Sequence, residues 1–500
     1  MHIYICVQTS KAMSFIPSSL IKKMLSQVVI VLIFTNVVAS QSIINTLPGY
    51  NGELPFTLET GYIGVGEMDE VQLFYYFIES ERSPNLDPLV LWLTGGPGCS
   101  ALSAIFYEIG PITFNYSNFS WGALPTLVLN PYSWTKVANI IFLDAPVGTG
   151  FSYATTLEGY EIGDLSSIAQ TYEFLRKWLL AHPKFVFHPL YIAGDSYSGI
   201  IVPMLVQDIT NGIEVGDKPL NNIRGFFLGN PLTDENIDMN ARVIFAYRKA
   251  LLSDELYECK LKCSKLLFYI FQSTKKDCKG EYYFPPDPSN VACIADLQAV
   301  NYCLDKIFLS NILEPDCVTY ISPQQNISTW KIASSLLEKN FIDVPVSTKQ
   351  FSEPWCRADN YVLSYIWANV KEVQAALHVR EGTVKDWQRC NSSLRDTYYV
   401  QEIKSTVLYQ KNLTNNGYRA LIYSGDTDLG IPYVGTQEWI NSLNLTIEDE
   451  WQPWFVSGQV AGYVTTYSKN KYSLTYATVK ASIALCFGLP SWIVLNSSKS

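Results

Sequence analysis

The sequence predicts an α/β fold with a mostly parallel central sheet that helices cover on both faces. Apolar runs typical of strands alternate with helical patterns along most of the 500 residues, and such alternation favours parallel strands joined by helices. The predicted strands are 72–78, 89–93, 139–143, 190–193, 223–228 and 419–423, and the clearest helices are 168–180 and 370–377.

Composition indicates a large hydrophobic core and excludes some partners. A hydrophobic share of 48% with 14% aromatic residues is ample for such a core, and an α/β chain of this length can be one domain that carries an insertion. The formal net charge of −10 argues against nucleic acids and anionic membrane surfaces as partners, because both require basic patches.

The first 40 residues read as an N-terminal extension followed by a signal peptide. Lys22 and Lys23 form a charged region, an apolar stretch follows at 28–34, and small residues at 37–40 suggest cleavage near residue 40. Met24 is a plausible start. Because the apolar stretch is too short to span a membrane, we expect a mature secretory chain without a membrane anchor.

The remainder divides into a core in two parts with a cap between them. Residues 41–231 form the first part of the core, and 356–480 form the second part. Between them, at 232–355, the pattern becomes helical and cysteine-rich. We interpret this segment as a cap inserted over the active-site face.

A strand, a tight turn and a helix are predicted around Ser196. Apolar residues at 190–193 run into Gly-Asp-Ser-Tyr-Ser-Gly at 194–199, and an apolar, helix-compatible run follows at 200–209. A serine at such an apex is lifted clear of the backbone, so Ser196 is the candidate nucleophile. The second glycine falls one position later than in G-x-S-x-G, and a Gly/Ser-rich turn without chemistry is the alternative.

Two further turns supply the other parts of a catalytic site. The strand at 89–93 ends in a glycine-rich turn, whose Gly96 N–H could form an oxyanion hole with the Tyr197 N–H. The strand at 419–423 runs towards Asp428, and the order of serine before aspartate fits an α/β-hydrolase triad. Aspartate-rich turns after strands are common, which is the alternative reading of Asp428.

The sequence resembles the serine carboxypeptidase family, and within it the plant serine carboxypeptidase-like acyltransferases. The resemblance runs from about Ile44 to Lys480 and implies an α/β-hydrolase fold with an inserted helical, disulfide-containing cap and no cofactor. The matching stretches are 47–50, 59–63, 92–100, 143–153, 194–199, 425–428 and 458–463.

The resemblance also implies three disulfides. They are Cys99 with Cys356, Cys278 with Cys293, and Cys303 with Cys317. A metal site is not expected, because the chain has no Cys-x-x-Cys pair and no histidine cluster. Residues 259–272 have no counterpart in the family, and they are either a real insertion or an artefact of gene assembly.

Substrate recognition by the family involves Trp92, Thr94, Glu108 and Asp195 at the matching positions. Carboxypeptidases hold the substrate's terminal carboxylate with an asparagine and two glutamates, whereas Thr94 offers a single hydroxyl donor and Asp195 is shorter than glutamate. With threonine and aspartate at these positions, the chain resembles the acyltransferases of the family, which transfer an acyl group from a glucose ester to an alcohol. The rival functions are a serine carboxypeptidase that acts on peptide C-termini, and a non-catalytic homologue that binds ligands or partners.

No histidine follows Asp428. The four histidines are His2, His182, His188 and His378, and none stands where the family has its catalytic base. After Lys480 the family continues into a glycine-rich turn that carries this histidine, whereas residues 481–500 of this chain diverge abruptly. The chain as written is therefore expected to be nearly inactive.

N-glycosylation sequons fit a secretory route to the extracellular space or the vacuole. Each tripeptide alone is weak evidence, and the sequence leaves the oligomeric state open. The sequons considered are at Asn115, Asn118, Asn326, Asn391, Asn412 and Asn444.

Overall fold

The structure, a computed structural model, describes residues 41–120, 122–217, 219–220, 222–257, 274–282, 289–316 and 357–480, without the side chains at 118 and 357–359. The predicted signal peptide at 1–40, the insert at 259–272 and the divergent end at 481–500 lie outside the described residues. The limits assigned to the cap, 232–355, therefore remain a prediction.

One large sheet organises the described chain. Twelve of the described strands belong to it, and the main path runs β1-β2-β3-β7-β4-β10-β11-β13-β16-β15-β14. The six strands from β7 to β16 along this path pair in parallel, and the flanking pairs β2–β3, β3–β7, β15–β16 and β14–β15 are antiparallel. The strands are β1 Gln41–Ile44, β2 Leu58–Val65, β3 Val71–Ile78, β4 Leu89–Leu93, β5 Ile112–Phe114, β6 Leu127–Leu129, β7 Asn139–Leu143, β8 Tyr153–Ala154, β9 Ile162–Gly163, β10 Leu190–Asp195, β11 Ile223–Gly229, β12 Tyr399–Val400, β13 Arg419–Gly425, β14 Thr446–Val456, β15 Gln459–Lys469 and β16 Tyr472–Val479.

Helices cover both faces of the sheet and confirm the predicted α/β architecture. One hydrophobic cluster joins the sheet to α2 and α3, and a second cluster joins its other face to α1, α8 and α9. The helices are α1 Leu102–Tyr107, α2 Asp164–Ala181, α3 Ser198–Glu214, α4 Glu235–Arg248, α5 Asp254–Tyr257, α6 Thr274–Asp277, α7 Val291–Leu304, α8 Arg357–Ala368, α9 Lys371–Ala376, α10 Val407–Leu413 and α11 Tyr433–Ser442.

The central strands are apolar throughout because helices lie over both of their faces. All five residues of β4 and all five of β7 are buried, as expected for parallel strands in a covered sheet. The predicted bounds 89–93 and 139–143 match these strands, and the other four predicted strands agree within two residues at each end. No described helix is long and apolar enough to cross a membrane.

A third hydrophobic cluster contains residues of α4 and α7 together with Leu429 and Val434, which come much later in the sequence. The Cys278–Cys293 disulfide belongs to it, which confirms that predicted pair. Cys303, ten residues farther along than Cys293, lies on the exposed side of α7 with a free thiol. The predicted bond from Cys303 to Cys317 is therefore wrong in this structure, and Cys317 is outside the described residues.

Cys99 pairs with Cys390, so the predicted bond to Cys356 is also wrong. The reason is local, because the chain at Cys390 runs antiparallel beside Cys99 and brings the two Cα atoms to 3.9 Å. Backbone hydrogen bonds on either side hold the two segments together, from Ser100 N to Arg389 O at 2.7 Å and from Asn391 N to Gly98 O at 2.9 Å. Cys356 lies outside the described residues.

Candidate active site

Ser196 occupies a strained turn between β10 and α3. Its φ angle is +53°, in the left-handed region that residues other than glycine rarely adopt. Backbone bonds hold the turn in place: Ser196 N donates to Gly229 O at 2.9 Å, and Ser196 O accepts from Leu232 N at 2.9 Å. The fold therefore maintains the raised position of the serine that the sequence predicts.

Small residues around the turn are required by close packing. A Cβ atom on Gly194 would lie 2.3 Å from Leu93 O, and one on Gly199 would lie 2.4 Å from Leu232 O. Ser198, where the simple motif has glycine, donates its Oγ hydrogen to Leu93 O at 2.8 Å. This bond explains how a serine is accommodated there.

The glycine-rich turn after β4 packs directly against the candidate nucleophile. A Cβ atom on Gly95 would lie 2.6 Å from the Ser196 Cβ, so only glycine allows this approach. Neither the Gly96 N–H nor the Tyr197 N–H donates to a partner within the described chain. Both groups thus remain available for the oxyanion hole that the sequence predicts.

Asp195 and Glu108 form a buried acidic pair beside this turn. Asp195 Oδ1 accepts a hydrogen bond from Gly95 N at 2.9 Å. Burial raises the pKa of Glu108 well above its ordinary value, the charge of Asp195 raises it further, and Arg389 lowers it. Burial likewise raises the pKa of Asp195, against the effects of the Gly95 N–H and of Arg389. The pair is therefore expected to hold a proton near neutral pH.

Thr94 and Glu108 keep polar atoms without partners in the described part of the chain. Thr94 Oγ1 and Glu108 Oε2 are both buried without a hydrogen-bond partner among the described residues. Each therefore has unused capacity to bind a polar group of a ligand. Trp92 is different, because it is almost fully buried within β4 with its ring edge-on to Trp134, at 5.7 Å between centroids. In the described structure Trp92 contributes to the core.

Asp428 follows β13, two strands away from β10 in the sheet. Asp428 Oδ1 accepts from Ile431 N at 3.0 Å. Burial raises the pKa of Asp428 to about 7, although the N–H groups of Ile431 and Gly430 and the charge of Arg242 lower it. We therefore expect Asp428 to be partly protonated near neutral pH.

Asn230, which lies just before the predicted end of the first core part at 231, braces both the Ser196 turn and the Asp428 turn. It follows Gly229, the acceptor for Ser196 N, and has a φ angle of +39°. Its Oδ1 accepts from Gly425 N at 2.8 Å and its Nδ2 donates to Ile431 O at 3.1 Å. The signal in the sequence was present, since asparagine is enriched at positive φ.

Asp164 at the start of α2 fixes the side chain of Tyr197. Asp164 is fully buried, and its Oδ1 accepts from Tyr197 Oη at 2.8 Å and from Tyr399 Oη at 2.9 Å. Its Oδ2 accepts from Ile403 N at 2.9 Å. These partners are far apart in sequence, so nothing in the local pattern identifies Asp164.

The described histidines do not lie beside Ser196. His188 bonds to Asp87 O at 2.8 Å where β4 and β10 begin, so the length of β10, about 20 Å, separates it from Ser196. His182 has its ring nitrogens 2.8 Å from Trp178 O and 2.8 Å from Glu59.

His378 is exposed and follows Leu377, whose carbonyl accepts from Thr60 in β2. The order of the sheet places β2 four strands from β10, or about 19 Å at the usual strand spacing. Because His378 lies this far from the nucleophile strand, no described histidine is placed to act as the base for Ser196.

The last described strand, β16, ends next to the Asp428 turn. Asp426 N donates to Val479 O at 2.9 Å, so the end of β16 lies at the same edge of the sheet as the end of β13. In the resembling family the base follows this strand. The divergent residues 481–500 follow directly after this strand.

The side chain of Asn391, one of the predicted glycosylation sites, is hydrogen-bonded in the folded chain. Its Nδ2, the atom that would carry a glycan, donates to Gly148 O at 2.9 Å, and its Oδ1 accepts from Leu394 N. Asn412 and Asn444 are exposed and Asn115 is half-buried. The side chain of Asn118 and all of Asn326 lie outside the described residues.

The model of the family described as "Serine carboxypeptidase" matches residues 48–482. This range contains Ser196, the turn at Gly95 and Asp428. The chain belongs to the serine carboxypeptidase family. Among the described residues, no group of three or more histidine, cysteine, aspartate or glutamate side chains is arranged to hold a metal ion.

Individual relatives agree with the family assignment over nearly the whole chain. Serine carboxypeptidase-like 17 of Arabidopsis thaliana is 45% identical over 90% of this chain and 91% of its own length. Serine carboxypeptidase-like 1 of the same plant is 44% identical over 93% of each chain. A solved prohormone-processing carboxypeptidase from Saccharomyces cerevisiae has the same fold, with a TM-score of 0.65 at 18% identity over 86% of this chain and 88% of that one.

Proposed function

We propose that this chain is built to transfer an acyl group from a glucose ester to an alcohol through an acyl-Ser196 intermediate. The observation that carries the proposal is the Ser196 turn with Gly95 packed against it, together with the N–H groups of Gly96 and Tyr197, which have no partner in the described chain. N–H groups so placed stabilise the oxyanion of an acyl-transfer intermediate, and such donors are worth about 10²–10³ in turnover each.

The chemistry needs two displacements at one carbonyl carbon. Ser196 Oγ attacks the ester carbon, the bond to the sugar oxygen breaks, and the proton lost by the serine goes to the sugar oxygen. The alcohol then attacks the acyl-Ser196 carbon, loses its own proton and releases Ser196, which regains one. Each proton transfer requires a base that becomes an acid, and imidazole fills this role in serine hydrolases.

Transfer is favoured over peptide hydrolysis by the side chains around the oxyanion turn. The Asp195 carboxylate is engaged by the Gly95 N–H, and Thr94 presents one hydroxyl where the peptidases have an amide. A peptide's terminal carboxylate would therefore find fewer donors here. Glu108, whose Oε2 has no partner in the described chain, is left to bind a hydroxyl or other donor on a neutral substrate.

Because no described histidine is placed to act as the base for either step, we expect the turnover of this chain to be very slow. Loss of one triad member typically costs several orders of magnitude in turnover. Imidazole supplied in solution provides the missing group, with Asp428 to orient it. We propose the extracellular space or the vacuole as its location, in keeping with the disulfides at Cys99–Cys390 and Cys278–Cys293.

The test offers the purified chain, with imidazole, either a glucose ester together with an alcohol or a blocked dipeptide. We expect acyl transfer to exceed dipeptide hydrolysis, and the double variant Thr94→Asn, Asp195→Glu to shift the ratio towards hydrolysis. Dipeptide hydrolysis that exceeds transfer in the parent chain would instead support a carboxypeptidase. A chain that stays inert even when a family-type glycine turn, histidine and helix replace 481–500 would support a non-catalytic binding protein.

A further inference from the structure

A cavity of about 180 Å³ is lined by residues other than the candidate catalytic ones. Ser196, Glu108 and Asp428 are not among the residues that line it. Its walls are the loop 148–152, the turn at Tyr160 and the segment 383–391. Its polar lining side chains include Tyr160, Thr383, Asp386, Gln388 and Asn391.

Two glycines form one wall of the cavity with bare backbone. Gly148 and Gly150 have φ angles of +83° and +54°, and a Cβ atom on Gly150 would lie 2.1 Å from the Asp144 carboxylate. Asp144 is itself fixed by Ser100 Oγ at 2.8 Å and by Phe151 N at 2.9 Å. Gly150 therefore has to be glycine because the Asp144 carboxylate packs against it, while Gly148 lines the cavity without a side chain beyond the backbone.

The opposite walls carry polar groups that are free to bind. The side chains of Tyr160, Asp386 and Gln388 make no hydrogen bond or ion pair to any residue that the structure describes. Thr383 donates its hydroxyl to Arg380 O at 2.7 Å and keeps its lone pairs as acceptors. Together these groups offer a carboxylate, an amide, a phenol and a hydroxyl, which is a mixture of donors and acceptors.

The charge of the lining favours a neutral ligand. Asp386 is the single charged residue among the lining residues, and no arginine or lysine is among them. Asp386 is exposed to solvent, so water screens its charge. An anion would meet a carboxylate, and a cation would gain little net attraction.

The volume fits one six-membered ring with substituents. A cavity of about 150 Å³ accommodates benzene, so 180 Å³ leaves room for several hydroxyl groups. Hydroxyls both donate and accept, as the lining requires. We propose that this cavity is a binding site for a neutral polyhydroxylated ring of monosaccharide size, separate from the site at Ser196.

The experiment measures binding of D-glucose, D-galactose, a glucose ester and choline to the full chain by saturation-transfer NMR and calorimetry. At least one free sugar is expected to bind. Asp386→Asn should weaken binding about tenfold, since hydrogen bonds to a charged group are among the stronger ones, and Tyr160→Phe should weaken it by roughly threefold to tenfold, the effect of losing one neutral hydrogen bond. Glu381→Gln, an exposed carboxylate on the same segment but outside the lining, is the matched control and should not change the affinity.

The readout needs no turnover, so it is independent of the acyl-transfer proposal. Ser196→Ala should bind the free sugars as the parent chain does. The inference would be overturned if the glucose ester bound but no free sugar did, and if this binding were lost in Ser196→Ala or unaffected by Asp386→Asn. Such a result would place the sugar at the Ser196 site. Choline that binds more tightly than every sugar, or no sugar binding at tens of millimolar, would also overturn the inference.

Discussion

The Asp195 carboxylate accepts a hydrogen bond from the Gly95 N–H at 2.9 Å. Asp195 directly precedes Ser196, and Gly95 directly precedes Gly96. The bond fixes the distance between the nucleophile turn and the turn that supplies an oxyanion donor. Asp195 therefore has a structural role here besides any contact with substrate.

Replacing Asp195 should alter the reactivity of Ser196 according to the acceptor that remains. Asp195→Ala removes the acceptor for Gly95 N–H, and we expect imidazole-assisted phosphonylation of Ser196 to slow by about 10²-fold, the effect of losing one oxyanion donor. Asp195→Asn keeps an oxygen at that position and is the matched control, expected to stay within about tenfold of the parent chain. Equal rates for the two variants would mean that the Gly95 bond does not position the turn.

The Cys99–Cys390 bond closes a loop of 291 residues, so its loss should destabilise the fold. The chain-entropy model gives a contribution of about 6 kcal/mol for a loop of this length. We expect Cys390→Ser to lower the midpoint of denaturant unfolding markedly, while Cys356→Ser leaves the Cys99 bond intact. Peptide mapping of non-reduced protein checks the pairing directly, and a peptide that joins Cys99 to Cys356 would contradict it.

Stability should fall as pH rises from about 4 to about 7. Burial raises the pKa of Asp238 to about 7 and that of Asp144 to about 6. Between the ordinary pKa near 4 and these values the folded chain holds protons that the unfolded chain has lost, so raising the pH favours unfolding. Each unit of pKa difference corresponds to about 1.4 kcal/mol.

Asp238→Asn tests this pH dependence. Asp238 Oδ2 accepts from Thr233 N and Asp234 N, while Oδ1 has no partner in the described chain. An amide can therefore keep both bonds without a titrating proton. We expect the thermal midpoint of the parent chain to be higher at pH 5 than at pH 8, and the difference to shrink in Asp238→Asn. A variant with the full pH difference would show that Asp238 is ionised in the folded chain.

The sequence was most informative where local pattern determines structure. The buried runs 89–93 and 139–143 became β4 and β7 without change, because a strand covered on both faces needs apolar residues throughout. Ser196 was predicted because the turn requires small neighbours, which are readable in the chain. The packing of Gly95 on Ser196 follows from two adjacent parallel strands that end at one edge.

The missed features depend on residues distant in sequence. The disulfide partners Cys99 and Cys390 are 291 positions apart in the sequence. Likewise, no local periodicity predicts the hydrogen bond from Tyr399 to Asp164. Asn230 was visible as a boundary, but its bond to Gly425 depends on the order of β11 and β13 in the sheet. Such contacts are properties of topology, which the sequence specifies only through the whole fold.

The rate at which a fluorophosphonate labels Ser196 in the unmodified chain reports directly on whether a base lies beside this serine. We expect very slow labelling in buffer alone and much faster labelling when imidazole is added, increasing as the pH passes about 7, where Asp428 ionises. Ser196→Ala should abolish labelling, and Asp428→Asn should reduce the gain from imidazole. Rapid labelling without imidazole, lost in His378→Ala, would show that the chain already has a base and would contradict the account.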